Sequence, residues 1–413
     1  MRLLVYEHVC AVGFGERNVR PSVLCEGFGM VRAIVADAKQ AGFCVTTALN
    51  SQMAEFNLPF NSDHYVLVRS NTEAIDVLEK AADFADAALV IAPETNGTLQ
   101  YLVRRIEQQN DLLSLNSTAD AIIEASDKTR LEEKAKKIGV ETPKTIFFRA
   151  DEDIENVAVS VEKNLGIPAV IKPSDGVGCE GLSIVYNKKQ LLNSVKKTVK
   201  LKTNFFIAQE FVCGKPASVT LISNGKIALP ITLNKQNISL RTPGRDSTYN
   251  GGIIPFDEKG MQDTAFEAAK RIVESISGLK GYIGVDLILT EHGPVLIEIN
   301  PRLTTSYIGV QKVSGFNRAK AMIDSAKGKD LPTVPEPIGY AYLGKVKVPK
   351  PTKLALQQTF ALPALSSPPF SYPDQKYAYA LLCSKGPTVR QAKGGFNKAK
   401  EQLQNMLCLR GTD

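Results

Sequence analysis

The sequence predicts an α/β domain followed by an α+β region, and three observations carry that prediction. Up to about residue 118, short β-branched runs alternate with amphipathic stretches of ten or more residues, the pattern of βαβ units that close as a parallel, doubly wound sheet. Beyond residue 145 the strands are joined by glycine-rich or Asn-Gly turns, as antiparallel neighbours are. The 413 residues exceed what a single core ordinarily serves, so several lobes are expected. With 44% hydrophobic and 23% charged residues, the chain is neither collagen-like, low-complexity nor wholly disordered.

In order, Leu3 to Tyr6 reads as a strand, Glu26 to Gln40 as a helix ended by Gly42, and Cys44 to Ala48 and Tyr65 to Val68 as strands. Thr72 to Ala85 reads as a helix, Ala88 to Ala92 as a strand and Thr98 to Gln109 as a helix. Ligands of such sheets bind at the carboxyl ends of strands, which here carry Glu7-His8-Val9-Cys10, Gly13-Phe14-Gly15 and Pro93-Glu94-Thr95-Asn96-Gly97. Without a third glycine at its usual place, this is no dinucleotide fingerprint.

A single helix is expected from Ala119 to Ile138, stopped by Gly139, then a strand from Thr145 to Phe148 and a helix from Glu152 to Leu165. The strands Ala169 to Lys172 and Leu182 to Tyr186 form a hairpin through a glycine-rich connection. Phe205 to Phe211, Ala217 to Ile222 and Ile227 to Ile231 follow, and Gly284 to Leu289 turns back into Val295 to Asn300. Proline crowds residues 332 to 373, which suggests a tail that wraps the surface or forms a small β annex before a helix from Asn397 to Leu409. The expected divisions are 1–118, 119–325 (a small lobe at about 145–210, a large one at about 211–325) and an extension, 326–413.

Charge and cysteine content exclude other classes. The net charge of +7 is spread thinly, and the densest basic stretch, Lys188 to Lys202, reads as a helix face packed through Leu191, Leu192 and Val195, so no nucleic-acid partner is expected. Seven cysteines without a C-x-x-C pair indicate reduced, mostly buried thiols rather than a disulfide framework or zinc knuckle. No apolar run approaches the ~20 residues that span a bilayer, so the expectation is a cytoplasmic protein without a membrane partner.

The sharpest chemical signal is an acidic hairpin. Asp286 lies on one strand, Glu298 and Asn300 are two apart on its partner, and the turn at residues 291 to 294 brings Asp286 opposite Glu298. Two carboxylates amid Val, Leu and Ile repel unless a cation sits between them, and hard oxygen donors suit Mg²⁺ or Mn²⁺ bridging phosphates. Lys172, before the glycine-rich connection, and Lys128, after Asp127, could meet those phosphates, while the connection offers backbone N–H groups and can close over them. For Lys128 alone, a solvated side chain explains the sequence better.

Together these pieces resemble a known family. Ser126-Asp127-Lys128, Ile171-Lys172-Pro173 with its glycine loop, Gln209-Glu210-Phe211-Val212-x-Gly214, Gly284-Val285-Asp286 and Glu298-Ile299-Asn300-Pro301-Arg302 are similar, in order and spacing, to the ATP-grasp carboxylate–amine ligases, over residues 1 to about 325. The resemblance implies an ATP-grasp fold in which two α+β lobes clasp ATP. It implies that Lys128 and Lys172 hold the phosphates and that Ser174 to Gly181, with Gly176 and Gly178, is the closing loop. Gln209, Glu210 and Val212 would form the adenine hinge, Asp286, Glu298 and Asn300 the metal site, and Arg302, with Lys172, would assist phosphoryl transfer. ATP and Mg²⁺ or Mn²⁺ are thus the implied cofactors, and no side-chain nucleophile is needed; His8 is assigned packing or substrate contact. A homodimer is compatible with this reading.

Two positions depart from the family. Gln209 stands where many relatives carry an acid, and Pro216 where they carry a ribose-binding Glu, which leaves the sugar to another group such as Ser218. Arg241 and Arg245, in a Gly/Pro-bounded loop, suit either a substrate carboxylate or plain exposure. With Tyr249-Asn250-Gly251-Gly252, Tyr6 to Cys10, Leu24-x-Glu26-Gly27 and Ala92-Pro93-Glu94, the chain looks most like the tyramine–glutamate ligases of methanofuran synthesis and their relatives in methylotrophic bacteria. That likeness implies small-molecule substrates, L-glutamate through its γ-carboxylate and tyramine or a similar amine, with Tyr249 and Asn250 at the substrate. Two alternatives stay open: another amino-acid ligase of the superfamily, related to pyrrolysine synthesis or dipeptide-forming, and an ATP-binding module without catalysis.

Overall fold

A computed structural model describes residues 1–13, 19–174, 178–200, 204–258 and 260–408. Among them the strands form three sheets. The first holds β1 (Arg2–Glu7), β2 (Cys44–Asn50), β3 (His64–Val68), β4 (Ala87–Ile91) and β5 (Leu113–Ser114), all parallel, in the order β3-β2-β1-β4-β5. Chain direction across the sheet reverses at β1, so the switch point where such sheets bind ligands lies beyond its carboxyl end, at Glu7. The second is antiparallel, in the order β6-β9-β7-β8, from β6 (Thr145–Arg149), β7 (Ala169–Pro173), β8 (Ser183–Val185) and β9 (Phe205–Glu210).

The third sheet holds β10 (Lys215–Asn224), β11 (Ala228–Ser239), β12 (Thr248–Ile254), β13 (Lys280–Thr290), β14 (Gly293–Asn300), β15 (Tyr340–Pro349), β16 (Leu365–Phe370) and β17 (Tyr377–Gly386). Its order is β14-β13-β10-β11-β12-β15-β17-β16. The tail therefore does not wrap the surface: β15 pairs with β12, and residues 211–325 and 340–386 share one sheet. Proline misled the reading because Pro368 and Pro369 sit in β16, the edge strand, where a missing N–H costs no ladder bond. Gly251 permits the junction. Its φ is +102°, and a Cβ there would stand 2.0 Å from the Leu343 carbonyl oxygen, so only glycine lets β12 approach β15 this closely.

The helix expected over 119–138 is two helices, Ala119–Ser126 and Lys128–Lys137. Asp127 breaks it by adopting an extended conformation (φ −79°, ψ 103°) and accepting hydrogen bonds from the N–H groups of Thr129 and Arg130. Lys128 thereby opens a new helix. The closing helix is also longer than expected, Val389–Cys408. Among the described cysteines Cys10, Cys25 and Cys383 are buried, Cys44 and Cys179 intermediate and Cys213 exposed, all as free thiols. Among the described residues no helix is long and apolar enough to cross a membrane.

The helix Pro21–Gln40 ties the first sheet to the third through a buried polar knot. Asp37, 1% exposed, accepts hydrogen bonds from Arg318 Nε (2.8 Å) and Nη2 (2.7 Å), from the Tyr307 hydroxyl (2.5 Å) and from Gln311 (2.9 Å). Removing one partner of such a pair strands a charge in the interior, so Arg318→Met should destabilise the protein by about 3–5 kcal/mol. An unchanged denaturation midpoint would show that this knot does not hold the lobes.

Candidate active site

The three sheets surround a cavity of about 510 Å³. The hairpin of β13 and β14 supplies its acidic wall, with Asp286 facing Glu298 and Gly284 facing Asn300 in register. Asp286 accepts hydrogen bonds from Gln236 Nε2 at 2.9 Å and Asn300 Nδ2 at 3.3 Å, while Glu298 Oε2 accepts one from Lys128 Nζ at 3.1 Å. Burial and the neighbouring Glu298 charge push the Asp286 carboxyl well above its ordinary range. Burial acts the same way on Glu298, yet Lys128 and Lys172 overcome it and hold that carboxylate ionised. Lys172, nearly enclosed, is driven down to about 7 by burial and by Lys128.

The strain on Asp286 is what a divalent cation would relieve. Among the described residues no three His, Cys, Asp or Glu side chains cluster as metal ligands. The third oxygen donor would be the Asn300 carboxamide, and two carboxylates with one amide suit a small, hard cation that keeps further positions for phosphate oxygens.

Arg302, two residues beyond Asn300, also lines the cavity. It donates through Nη2 to Glu94 Oε2 at 2.9 Å and through Nη1 to the Leu303 carbonyl oxygen at 3.0 Å. Among the described residues its Nε and Glu94 Oε1 are buried without a hydrogen-bond partner, a deficit that a ligand or water would fill. Glu94, from the loop after β4, was read only as part of a ligand-binding strand end and given no role of its own; its place in the structure is behind Arg302, as the partner of that guanidinium. Gln236 and Glu26 line the cavity; Glu26 stood within the Leu24-x-Glu26-Gly27 likeness without being assigned a role, and Gln236 carried no signal.

Glu7 ends β1, accepts a hydrogen bond from the Cys10 N–H at 2.6 Å and is 1% exposed. A Cβ on Gly27 would stand 2.7 Å from its carboxyl group, so a larger residue there would have to displace the Glu7 side chain. Burial raises the Glu7 carboxyl from 4.5 to about 7, against the Cys10 and Val9 N–H groups and Arg302. A carboxyl that holds its proton more tightly when folded contributes most below its unfolded value, and stability falls as pH rises through the folded one. At ~1.4 kcal/mol per unit, the loss between pH 4.5 and 7 amounts to about 3 kcal/mol. Glu7→Gln should therefore be more stable than the parent at pH 8 and no more stable at pH 4; parallel stability–pH curves would refute this. His8 does not line the cavity; burial lowers it to about 4, and its ring lies beside Tyr6, which is a packing role.

The remaining candidates divide. Gln209, Glu210, Val212, Pro216 and Ser218 line the cavity. Gln209 Nε2 donates to Thr145 Oγ1 at 2.9 Å, Glu210 Oε1 accepts from the Lys144 N–H at 3.0 Å, and Ser218 stands beside Asp286 in the sheet. Gly178 is on the wall with Pro173, Cys179, Glu180 and Leu182; Ser174 and Gly181 are not, and Gly176 lies outside the described residues. Tyr249 lines the cavity, but Arg241, Arg245 and Asn250 do not, which corrects the expectation for all three. The two arginines are exposed because their loop docks its backbone on the second lobe: the Ile184 N–H donates to the Arg241 carbonyl oxygen at 3.0 Å and Lys197 Nζ to that of Arg245 at 3.1 Å. Asn250 follows Tyr249 on a strand and so faces the other way, where it bonds Ser239 and Thr248.

Known proteins agree with this architecture. Residues 125–306 match the ATP-grasp domain and residues 44–122 the pre ATP-grasp 3 domain. The tyramine–L-glutamate ligase of Methanocaldococcus jannaschii is 28% identical over 80% of this chain and 90% of its own length. An ATP-grasp superfamily protein of Archaeoglobus fulgidus superposes with a TM-score of 0.62 at 24% identity, covering 92% of this chain and 99% of that one. The biotin carboxylase domain of Hydrogenobacter thermophilus 2-oxoglutarate carboxylase, solved with MgADP and bicarbonate, superposes with a TM-score of 0.71 at 16% identity, covering 97% of this chain and 89% of that one. Fold, cavity and relatives together make this chain a member of the ATP-grasp family, an ATP-dependent carboxylate–amine ligase.

Proposed function

We propose that this ligase joins the γ-carboxylate of L-glutamate to the amine of tyramine, or a similar aromatic amine, giving an amide, ADP and phosphate in the cytoplasm. The observation that carries the reading is the meeting, in one cavity, of an acidic hairpin, two lysines and an arginine whose Nε has no partner among the described residues. The choice of substrates is supported by the likeness to tyramine–L-glutamate ligase.

In this reading residues 119–325 bind nucleotide, the second lobe closing on the large one, and residues 1–118 complete the substrate side. Lys128 and Lys172 neutralise the phosphates, the loop of Ser174, Gly176, Gly178 and Gly181 covers them, Gln209, Glu210 and Val212 hold the adenine, and Ser218 takes the ribose contact that Pro216 cannot make. Asp286, Glu298 and Asn300 would hold Mg²⁺ or Mn²⁺, which would neutralise phosphate charge when bound. Arg302 orients the substrate carboxylate toward the γ-phosphorus. A carboxylate oxygen then bonds to that phosphorus, ADP leaves, and the amine attacks the resulting acyl phosphate, expelling phosphate and losing a proton. The protein's share is positioning, charge neutralisation and exclusion of water.

Mass spectrometry of the products from a mixed amino-acid and amine pool with ATP tests this. The expected product is glutamyl-tyramine, with ADP and phosphate in equal amounts. Silence toward glutamate plus tyramine, with turnover of another pair, would reject the substrates; ATP binding without any amide would reject the ligase reaction.

A further inference from the structure

The cavity wall supplied by residues 1–118 has one chemical character. From the helix Pro21–Gln40, Val23, Glu26, Gly27 and Met30 line the cavity, and their spacing of i, i+3, i+4 and i+7 makes them a single helix face. Val9 and Ile91 add further apolar surface. Among the described residues the charged members of this wall are Glu7 and Glu26; the cations that line the cavity, Lys128, Lys172 and Arg302, come from later in the chain. The two carboxyl groups are not equivalent. Glu7 is 1% exposed and its Oε2 is taken by the Cys10 N–H, whereas the Glu26 side chain keeps 14% of its surface open.

Glu26 is also held in place. Its Oε1 accepts from Lys345 Nζ, on β15 behind the wall, at 2.6 Å, and its Oε2 from Thr305 Oγ1 at 2.9 Å. Thr305 itself lines the cavity, three residues beyond Arg302. These two bonds fix the carboxylate and use two of its roughly four acceptor sites, so it can take a further donor from within the cavity. A wall with two carboxyl groups and no cation opposes an acid substrate and suits an organic cation with an apolar body. Resting on the reading that an amine attacks the acyl phosphate, we propose that the helix face around Glu26 is the amine subsite: Glu26 accepts hydrogen bonds from the ammonium of the arriving substrate, and Val9, Val23, Met30 and Ile91 hold its apolar body. The acid substrate then belongs on the opposite side, with Arg302 and the lysines.

The test uses the full chain with ATP, Mg²⁺ and L-glutamate, varies tyramine, and adds tyrosol, which has a hydroxyl in place of the ammonium, as a competing ligand. Glu26→Gln should raise the KM for tyramine about 10–100-fold, the range of a lost charge-assisted hydrogen bond, while the inhibition constant of tyrosol and the KM values for ATP and glutamate change less than about threefold. Because this variant leaves Lys345 without its carboxylate, the measurement is repeated with Lys345→Met added, which removes both charges, and the same separation of tyramine from tyrosol is expected. Met30→Ala should instead weaken tyramine and tyrosol together, about 5–10-fold, since both share the apolar contact. An unchanged KM for tyramine in Glu26→Gln, or equal losses for tyramine and tyrosol, overturns the subsite while amide formation leaves the ligase reading intact. If the parent uses another amine, the comparison is made with that amine and its alcohol; if it uses no amine, the reading and the subsite fall together.

Discussion

Glu298→Gln is expected to abolish turnover, with kcat/KM falling about 10³-fold or more, at least the range lost when one preorganised electrostatic group is removed from a reacting centre. The glutamine keeps the shape of the side chain but removes one of the two carboxylates proposed to bind the cation, and it leaves Lys128 without its anionic partner. Asp286→Asn should act similarly, because Asp286 is the carboxylate most strained by burial beside a like charge. Phosphate release at saturating ATP, followed across a range of Mg²⁺ concentrations, measures both. The variants should need far more Mg²⁺ or fail to respond to it, and full activity in both would remove the metal-site assignment.

Arg302→Lys should lower kcat by about 10³-fold, since a guanidinium at a transferring phosphoryl group is worth ~10³–10⁵-fold elsewhere. Lysine keeps the charge but not the planar fork that can reach Glu94, the Leu303 carbonyl oxygen and a ligand at once. The loss should fall on kcat more than on the KM for ATP, because the nucleotide contacts proposed for Lys128 and Lys172 remain. A variant with parental kcat would mean that Arg302 serves only to anchor Glu94.

What could be read in advance follows from sequence separation. Asp286, Glu298 and Asn300 were legible because alternation puts Glu298 and Asn300 on one face and a short turn fixes their register with Asp286. The parallel sheet was legible because three of the helices between its strands, Pro21–Gln40, Ala74–Ala82 and Thr98–Glu107, are amphipathic and periodic, although β2 and β3 are joined only through the short helix Ser51–Ala54. Arg302 with Glu94 and Lys345 with Glu26 were not, since their partners lie 208 and 319 residues apart and nothing local encodes a meeting that only the docking of lobes creates. Arg241 and Arg245 failed for the opposite reason. Their residue types suited a carboxylate, but the direction of the loop was set by backbone bonds to β8 and to the helix Lys188–Val199, which composition does not reveal. The break at Asp127 sits between: an Asp before Lys-Thr-Arg is a helix-capping signal, hidden there within one long helical period.

The central claim is that a carboxylate oxygen attacks the γ-phosphorus of ATP in this cavity. The most direct measurement labels both oxygens of the substrate carboxylate with ¹⁸O, supplies ATP, Mg²⁺ and the amine, and weighs the phosphate released. The acyl-phosphate route predicts one ¹⁸O in each phosphate formed, with one ¹⁸O left in the amide carbonyl. Unlabelled phosphate, or release of AMP and pyrophosphate in its place, would contradict it.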